Sequence, residues 1–273
     1  MTDHNSLIDR VALRKHRTRF NVNRGAFLHA EAIIEVQDRL NMINKSFNDV
    51  AIITPQRALW QHQFPDAVVL EDEDFLDFKE RRFDLILHVM GLHWSNDPLG
   101  QMIQSLRCLR PDGLFLGCLL GGETLNELRS AFAAAESNVT GGLSPRILPM
   151  ADLRDLGALL QRAGFALPVV DSVKLKTNYE TPFLLMADLR AMGETNAQNA
   201  RQKSFTRREI FNEMMRIYST HYSSAQNRID ATFEFMWLTG WAPSKVQPKP
   251  LRPGSAKMRL SDALKVEEKS LKD

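Results

Sequence analysis

The sequence is most informative in what it lacks. Between Gly25 and Gly91 it contains no glycine, so no tight glycine-rich turn can form anywhere in that span. Cysteine is nearly absent. Cys108 and Cys118 lie ten positions apart, one in an expected helix and one in an expected strand. That is neither a metal nor a redox spacing, and it reads as two buried, reduced thiols. The seven histidines form no HxxxH pattern and no CxxC occurs, so no protein-ligated metal is expected. No apolar run approaches the ~20 residues of a membrane-spanning helix. The longest, 114–120, is seven residues and reads as a buried strand. The formal net charge of +2 gives no overall electrostatic case for nucleic acid.

The charge that is present is unevenly placed. Arg10, Arg14, Lys15, Arg17, Arg19 and Arg24 fall in a stretch without a single acid. Residues 1–25 are therefore expected to form a basic arm, either a solvated helix or a docking surface for an acidic partner or an anionic membrane. A targeting peptide is disfavoured by Asp3 and Asp9 and by the want of a small-residue cleavage site.

From residue 26 the periodicity alternates between helix and strand. Phe27, Ala30, Ile33, Ile34, Leu40 and Ile43 share one helical face. Apolar runs at 50–53, 67–70, 83–89, 114–120, 169–177 and 232–241 read as strands. Helices are expected near 56–63, 99–109, 123–136 and 153–163, the last stopped by Gly164. This order implies a parallel, doubly wound α/β sheet. A helical stretch at 178–228, with a Met and aromatic stripe, precedes the last strand and reads as core packing or a lid. Residues 243–273, rich in Pro and Lys, read as an extended tail.

Several segments then resemble a known family. VVLEDEDFLDFKERRFDLILHVMGLHWSNDP followed by LRPDGLFLGCLLGGETLNELR is similar to the class I S-adenosylmethionine-dependent methyltransferases. The group resembled most is related to BioC and to a respiratory complex I assembly factor with a methyltransferase fold. LIDRVALRKHRTRF, GGLSPRILPMADLRDLGALLQRAGF, NYETPFLLMADLRAMGETNA, MWLTGWAP and RPGSAKMRLSDAL extend the resemblance over nearly the whole chain. It implies a Rossmann-like sheet with helices on both faces, S-adenosylmethionine as cofactor, and a protein or small-molecule substrate. Alternatively, a degenerate relative would serve as an assembly factor for a respiratory complex, with a respiratory-chain subunit as its client, or an arginine-modifying hydroxylase. The expected setting is the cytoplasm of a bacterium or the mitochondrial matrix of a eukaryote.

By position, the resemblance makes Asp72 the acceptor for the adenine amino group and Phe75 the residue packing on its face. Thr54, His88 and Leu92 complete the cofactor side. His93, Trp94 and Glu123 are the catalytic candidates. Gly122, Glu123, Arg146, Tyr179, Glu194 and Asn196 would line a polar substrate pocket, whose carboxylates suit a cationic substrate such as an arginine side chain.

One stretch departs from the pattern. In FNDVAIITPQRALW, residues 47–60, Thr54-Pro55-Gln56-Arg57 stands where an intact relative carries LDLGxGxG. Pro55 also removes a backbone donor there. Only about thirty residues separate the first strand from Phe83, whereas two strands with their helices need roughly 45. At least one strand–helix unit is missing or collapsed, and the acid that would bind the ribose has no identifiable counterpart.

Overall fold

The computed structural model describes residues 6–224, 228–248, 254–255 and 258–266. Residues 6–243 form one compact unit. The other described residues belong to a second unit, in which Leu260–Leu264 is a short helix. Residues 249–253, 256–257 and 267–273 of the expected tail lie outside the described residues.

The first unit is built on six strands: β1 Val50–Ile53, β2 Val68–Leu70, β3 Phe83–Val89, β4 Leu109–Leu120, β5 Ala166–Tyr179 and β6 Ile229–Trp241. Their order is β2-β1-β3-β4-β6-β5. Alternation along β3 sends Leu85, Leu87 and Val89 into one apolar layer and Ile86 into the other, which Phe83 joins because the register shifts between it and Leu85. A central strand covered on both faces needs that composition.

Helices supply both covers. They are α1 Arg10–Arg17, α2 Val22–Gly25, α3 Phe27–Asn41, α4 Arg57–Gln63, α5 Pro98–Cys108, α6 Asn126–Thr140, α7 Leu153–Ala163, α8 Pro182–Met192 and α9 Arg208–His221. Local chemistry sets their ends. Asp97 accepts the Gly100 amide at 2.8 Å ahead of Pro98, and Asp152 accepts that of Asp155 at 2.9 Å. Gly164 closes α7 at φ +95°. Helices α8 and α9 lie between β5 and β6, where the helical insertion was expected.

Two findings refine the expected topology. The sheet is mixed rather than parallel: β6 runs antiparallel to both β4 and β5. The chain re-enters between β4 and β5, so the last strand pairs with the one before it in sequence without a crossover. The interval between Ile53 and Phe83 holds one helix and one strand, so a whole unit is absent and β2 pairs directly with β1.

The basic arm is not a free surface. Ile8 and Leu13 are buried beside Trp94, Leu148 and Ala197. Backbone bonds tie the arm to the insertion, from Asp9 N to Ala197 O at 2.8 Å and from Asn21 N to Ala191 O at 2.9 Å.

Candidate functional site

Strand order reverses between β1 and β3, and the crevice beyond the carboxyl ends of parallel strands is where such sheets bind ligands. The cofactor-side residues do converge there, but they are packed shut. Thr54 and His88 are fully buried, Leu92 and Asp72 are 2% exposed, and Phe75 projects into solvent at 77%. Phe75 thus stands apart from the buried group formed by the other four. His88 bonds Gln101 Oε1 at 2.9 Å, and Gln101 donates to Glu73 O at 2.8 Å. Burial pushes the His88 pKa down to about 4, so the ring is a neutral spacer between β3 and α5.

Asp72 is the centre of the closure. Arg17 grips its carboxylate with both terminal nitrogens, at 2.5 and 2.8 Å. Arg10 donates to the Asp72 carbonyl at 2.6 Å and lies 3.3 Å from Glu73, which Arg14 also approaches at 3.2 Å. The acidic partner of the arm is thus the chain's own 71–74 loop. Gly91 completes the fit, because a Cβ there would stand 2.8 Å from Asp72 Cβ. Where the glycine turn would be, α4 follows β1 and buries Trp60 completely. The Trp60 indole donates to His29 Nδ1 at 3.1 Å, and burial takes the His29 pKa down to about 4.

The open space is on the other side of the arm. A cavity of about 730 Å³ lies between α1, the end of β4, α6 and the insertion. His93, Trp94, Arg146, Glu194 and Asn196 all line it. Glu194 joins two other expected residues, accepting from Trp94 Nε1 at 2.5 Å and pairing with His93 Nε2 at 3.1 Å. Burial opposes the charge on Glu194, but His93, Arg17 and Trp94 outweigh it and hold the pKa below the usual range. With its Nε2 turned to Glu194, His93 keeps Nδ1 buried without a hydrogen-bond partner, and Thr195 Oγ1 is in the same condition. Arg146 is held by Glu136 at 2.5 Å and by Thr206 at 2.6 Å. Asn196 donates to Pro145 O at 2.7 Å.

Three expected pocket residues lie outside this cavity. Glu123 precedes α6 instead of opening it, and its carboxylate pairs with Lys174 in solvent at 2.8 Å. Gly122 has φ +52° and rests against the Glu234 carboxylate, which accepts the Glu123 amide at 2.8 Å. Tyr179 ends β5, where burial and then Asp188 push its pKa up to about 12. The cavity's lining is richer in cations than the polar pocket expected from the sequence. Arg19, Arg146, Arg190, Arg201 and Lys203 line it against the single carboxylate of Glu194. Arg10, Arg17, Arg19, Thr195 and Lys203 were not singled out as site residues from the sequence. The signal that was present is the acid-free run at 10–24 facing the run Glu71-Asp72-Glu73-Asp74.

Residues 40–117 match the family described as "Methyltransferase domain". Over those residues the chain is similar to a methyltransferase domain. Among curated relatives, "Arginine-hydroxylase NDUFAF5, mitochondrial" of Danio rerio is 39% identical over 74% of this chain and 63% of its own length. The human protein of that name is 38% identical over 75% and 59%. "Malonyl-[acyl-carrier protein] O-methyltransferase" of Laribacter hongkongensis is 30% identical over 65% and 57%. The chain thus spans about three-fifths of the length of these relatives. A solved structure, the YcgJ protein from Bacillus subtilis, superposes with a TM-score of 0.49 at 10% identity, over 78% of this chain and 99% of that one. Among the described residues, no helix is long and apolar enough to cross a membrane. No three His, Cys, Asp or Glu side chains among them gather as a metal site.

Proposed function

We propose that this methyltransferase-like protein works as a partner protein in the assembly of a respiratory complex, with its donor side shut by its own arm. The observation that carries this reading is the bidentate Arg17–Asp72 pair, buried where the adenine contact of a methyltransferase would be made. S-adenosylmethionine is the cofactor of this family. The residues present do not accommodate it while the arm is docked. Thr54, Asp72, His88 and Leu92 leave no surface between them, and the glycine approach and the ribose acid are missing. Donor binding therefore requires the arm to leave Asp72. The client is a respiratory-chain subunit, and the setting is the mitochondrial matrix or, in a bacterium, the cytoplasm; the mitochondrial relatives support this. Methyl transfer after arm release is the second reading, favoured by the domain match over 40–117.

Isothermal titration with S-adenosylmethionine and S-adenosylhomocysteine tests the closure. The expected result is no heat at millimolar ligand for the wild-type chain. Binding tighter than about 100 μM, a free energy beyond roughly −5 kcal/mol, and lost in Asp72→Ala, overturns it. In a host lacking the gene, Asp72→Asn at matched protein level is expected to restore respiratory NADH oxidation as well as wild type does. Failure to restore it, in a variant whose melting temperature matches wild type, would assign the function to donor chemistry.

A further inference from the structure

The 730 Å³ cavity has a composition that selects a ligand, and its volume is that of a small-molecule site (about 300–1,000 Å³). Its inner wall is apolar: Leu28, Leu120, Leu128, Phe132, Leu148 and Phe233 line it, and each is buried. The outer residues are cationic. Arg146 is balanced by Glu136 and Arg201 by Asp9. Arg19, Arg190 and Lys203 form no ion pair among the described residues, and Arg190 and Lys203 are exposed. The one carboxylate of the lining, Glu194, accepts from Trp94 and pairs with His93 through its Oε2, so cations outnumber acids around the chamber. An apolar chamber under unpaired guanidinium and ammonium groups is the complement of a molecule with a greasy chain and a negative end.

We propose that the cavity binds an amphiphile in which an apolar chain ends in one anionic head group. The chain lies along Leu120, Leu128, Phe132 and Phe233, and the head meets Arg19, Arg190 and Lys203. His93 Nδ1, unpartnered and buried at the wall, accepts a proton donor of the ligand if one is present. This inference rests on the reading that the cavity, and not the closed donor side, is the working site.

The test measures displacement of a dansyl-labelled fatty acid from the full chain by lauric acid, dodecyl phosphate, dodecanol and dodecyltrimethylammonium. At least one anion is expected to bind about tenfold or more tighter than dodecanol, and the tighter anion identifies the head group. The cation is expected not to compete. The triple variant Arg19→Ala, Arg190→Ala, Lys203→Ala alters only partly or fully exposed side chains, and should bring the anions to the level of dodecanol. Leu128→Trp, which fills the chamber, should weaken every alkyl probe. No displacement by either anion, equal displacement by the cation, or an anion preference that survives the triple variant overturns the proposal. S-adenosylmethionine binding to wild type alongside anion displacement would overturn only the closed-donor reading. Silence of both titrations would overturn only this one.

Discussion

Replacing Arg17 with alanine is the most direct test of how the arm is held. The Asp72 carboxylate is 2% exposed, and both its oxygens accept from Arg17. The next cation is Arg10, with Nη1 at 3.9 Å. Removing one partner from a buried pair costs about 3–5 kcal/mol, because the other charge is left without compensation. Arg10 stays within ion-pair range, which places the expected loss near the lower end, about 3 kcal/mol. At about 2–4 °C per kcal/mol for a domain of this size, the melting temperature should fall by roughly 6–12 °C. Ile8 and Leu13, each contributing about 1.5–3 kcal/mol by burial, keep the arm largely docked, so the loss is read as stability and not as release. Asp72→Ala and the double variant complete a cycle measured by urea denaturation. The coupling should exceed about 2 kcal/mol. A value below about 1 kcal/mol, that of a solvent-exposed pair, would refute the reasoning and leave Asp72 free for a ligand.

Other outcomes follow from the same geometry. Burial holds the His29 and His88 pKa values near 4 when folded, against about 6.5 unfolded. The unfolded chain therefore takes up protons first, and stability, full above the unfolded value, is lost as pH falls from about 6.5 toward 4. Each histidine should contribute roughly 2 kcal/mol to the loss between about pH 7 and pH 5, and denaturation of His29→Gln at both pH values should show about half the total. Gly122→Ala places a methyl group against Glu234 at φ +52° and should cost well over about 1 kcal/mol, checked by thermal melting. Glu194→Leu strands the Trp94 and His93 ring N–H groups and should lower stability by roughly 2 kcal/mol or more. Glu194→Gln should restore most of that in the same urea titration, since its carbonyl can still accept.

The elements readable from sequence are those whose cause is local. Residues 83–89 are apolar on both faces, and that alone makes a buried central strand. Helix α7 was bounded by Asp152 before it and Gly164 after it. The missing glycine turn and the shortened interval after β1 were also visible, because absence and length are properties of the string. What could not be read depends on partners distant in sequence. Arg17 and Asp72 are 55 residues apart, and Trp94 and Glu194 are 100 apart. The antiparallel entry of β6 is likewise set by which strand edge remains open when the chain returns. Glu123 was misplaced for a related reason. Its charge suited a helix N-terminus, but Leu125 in a left-handed conformation delays α6 to Asn126, and the nearer Lys174 takes the carboxylate.

The order of the sheet has a consequence for the protein at high concentration. Its two edge strands are β2 and β5, and an open edge is a template for another chain. Strand β2 is three residues long, too short to recruit a neighbour. Strand β5 is fourteen residues long, but Pro168 withholds an amide, and Lys174 and Lys176 would repel their counterparts in a second copy aligned on the same register. With one strand–helix unit missing, β2 is the edge beyond β1, and its three residues leave that edge too narrow for aggregation to exploit.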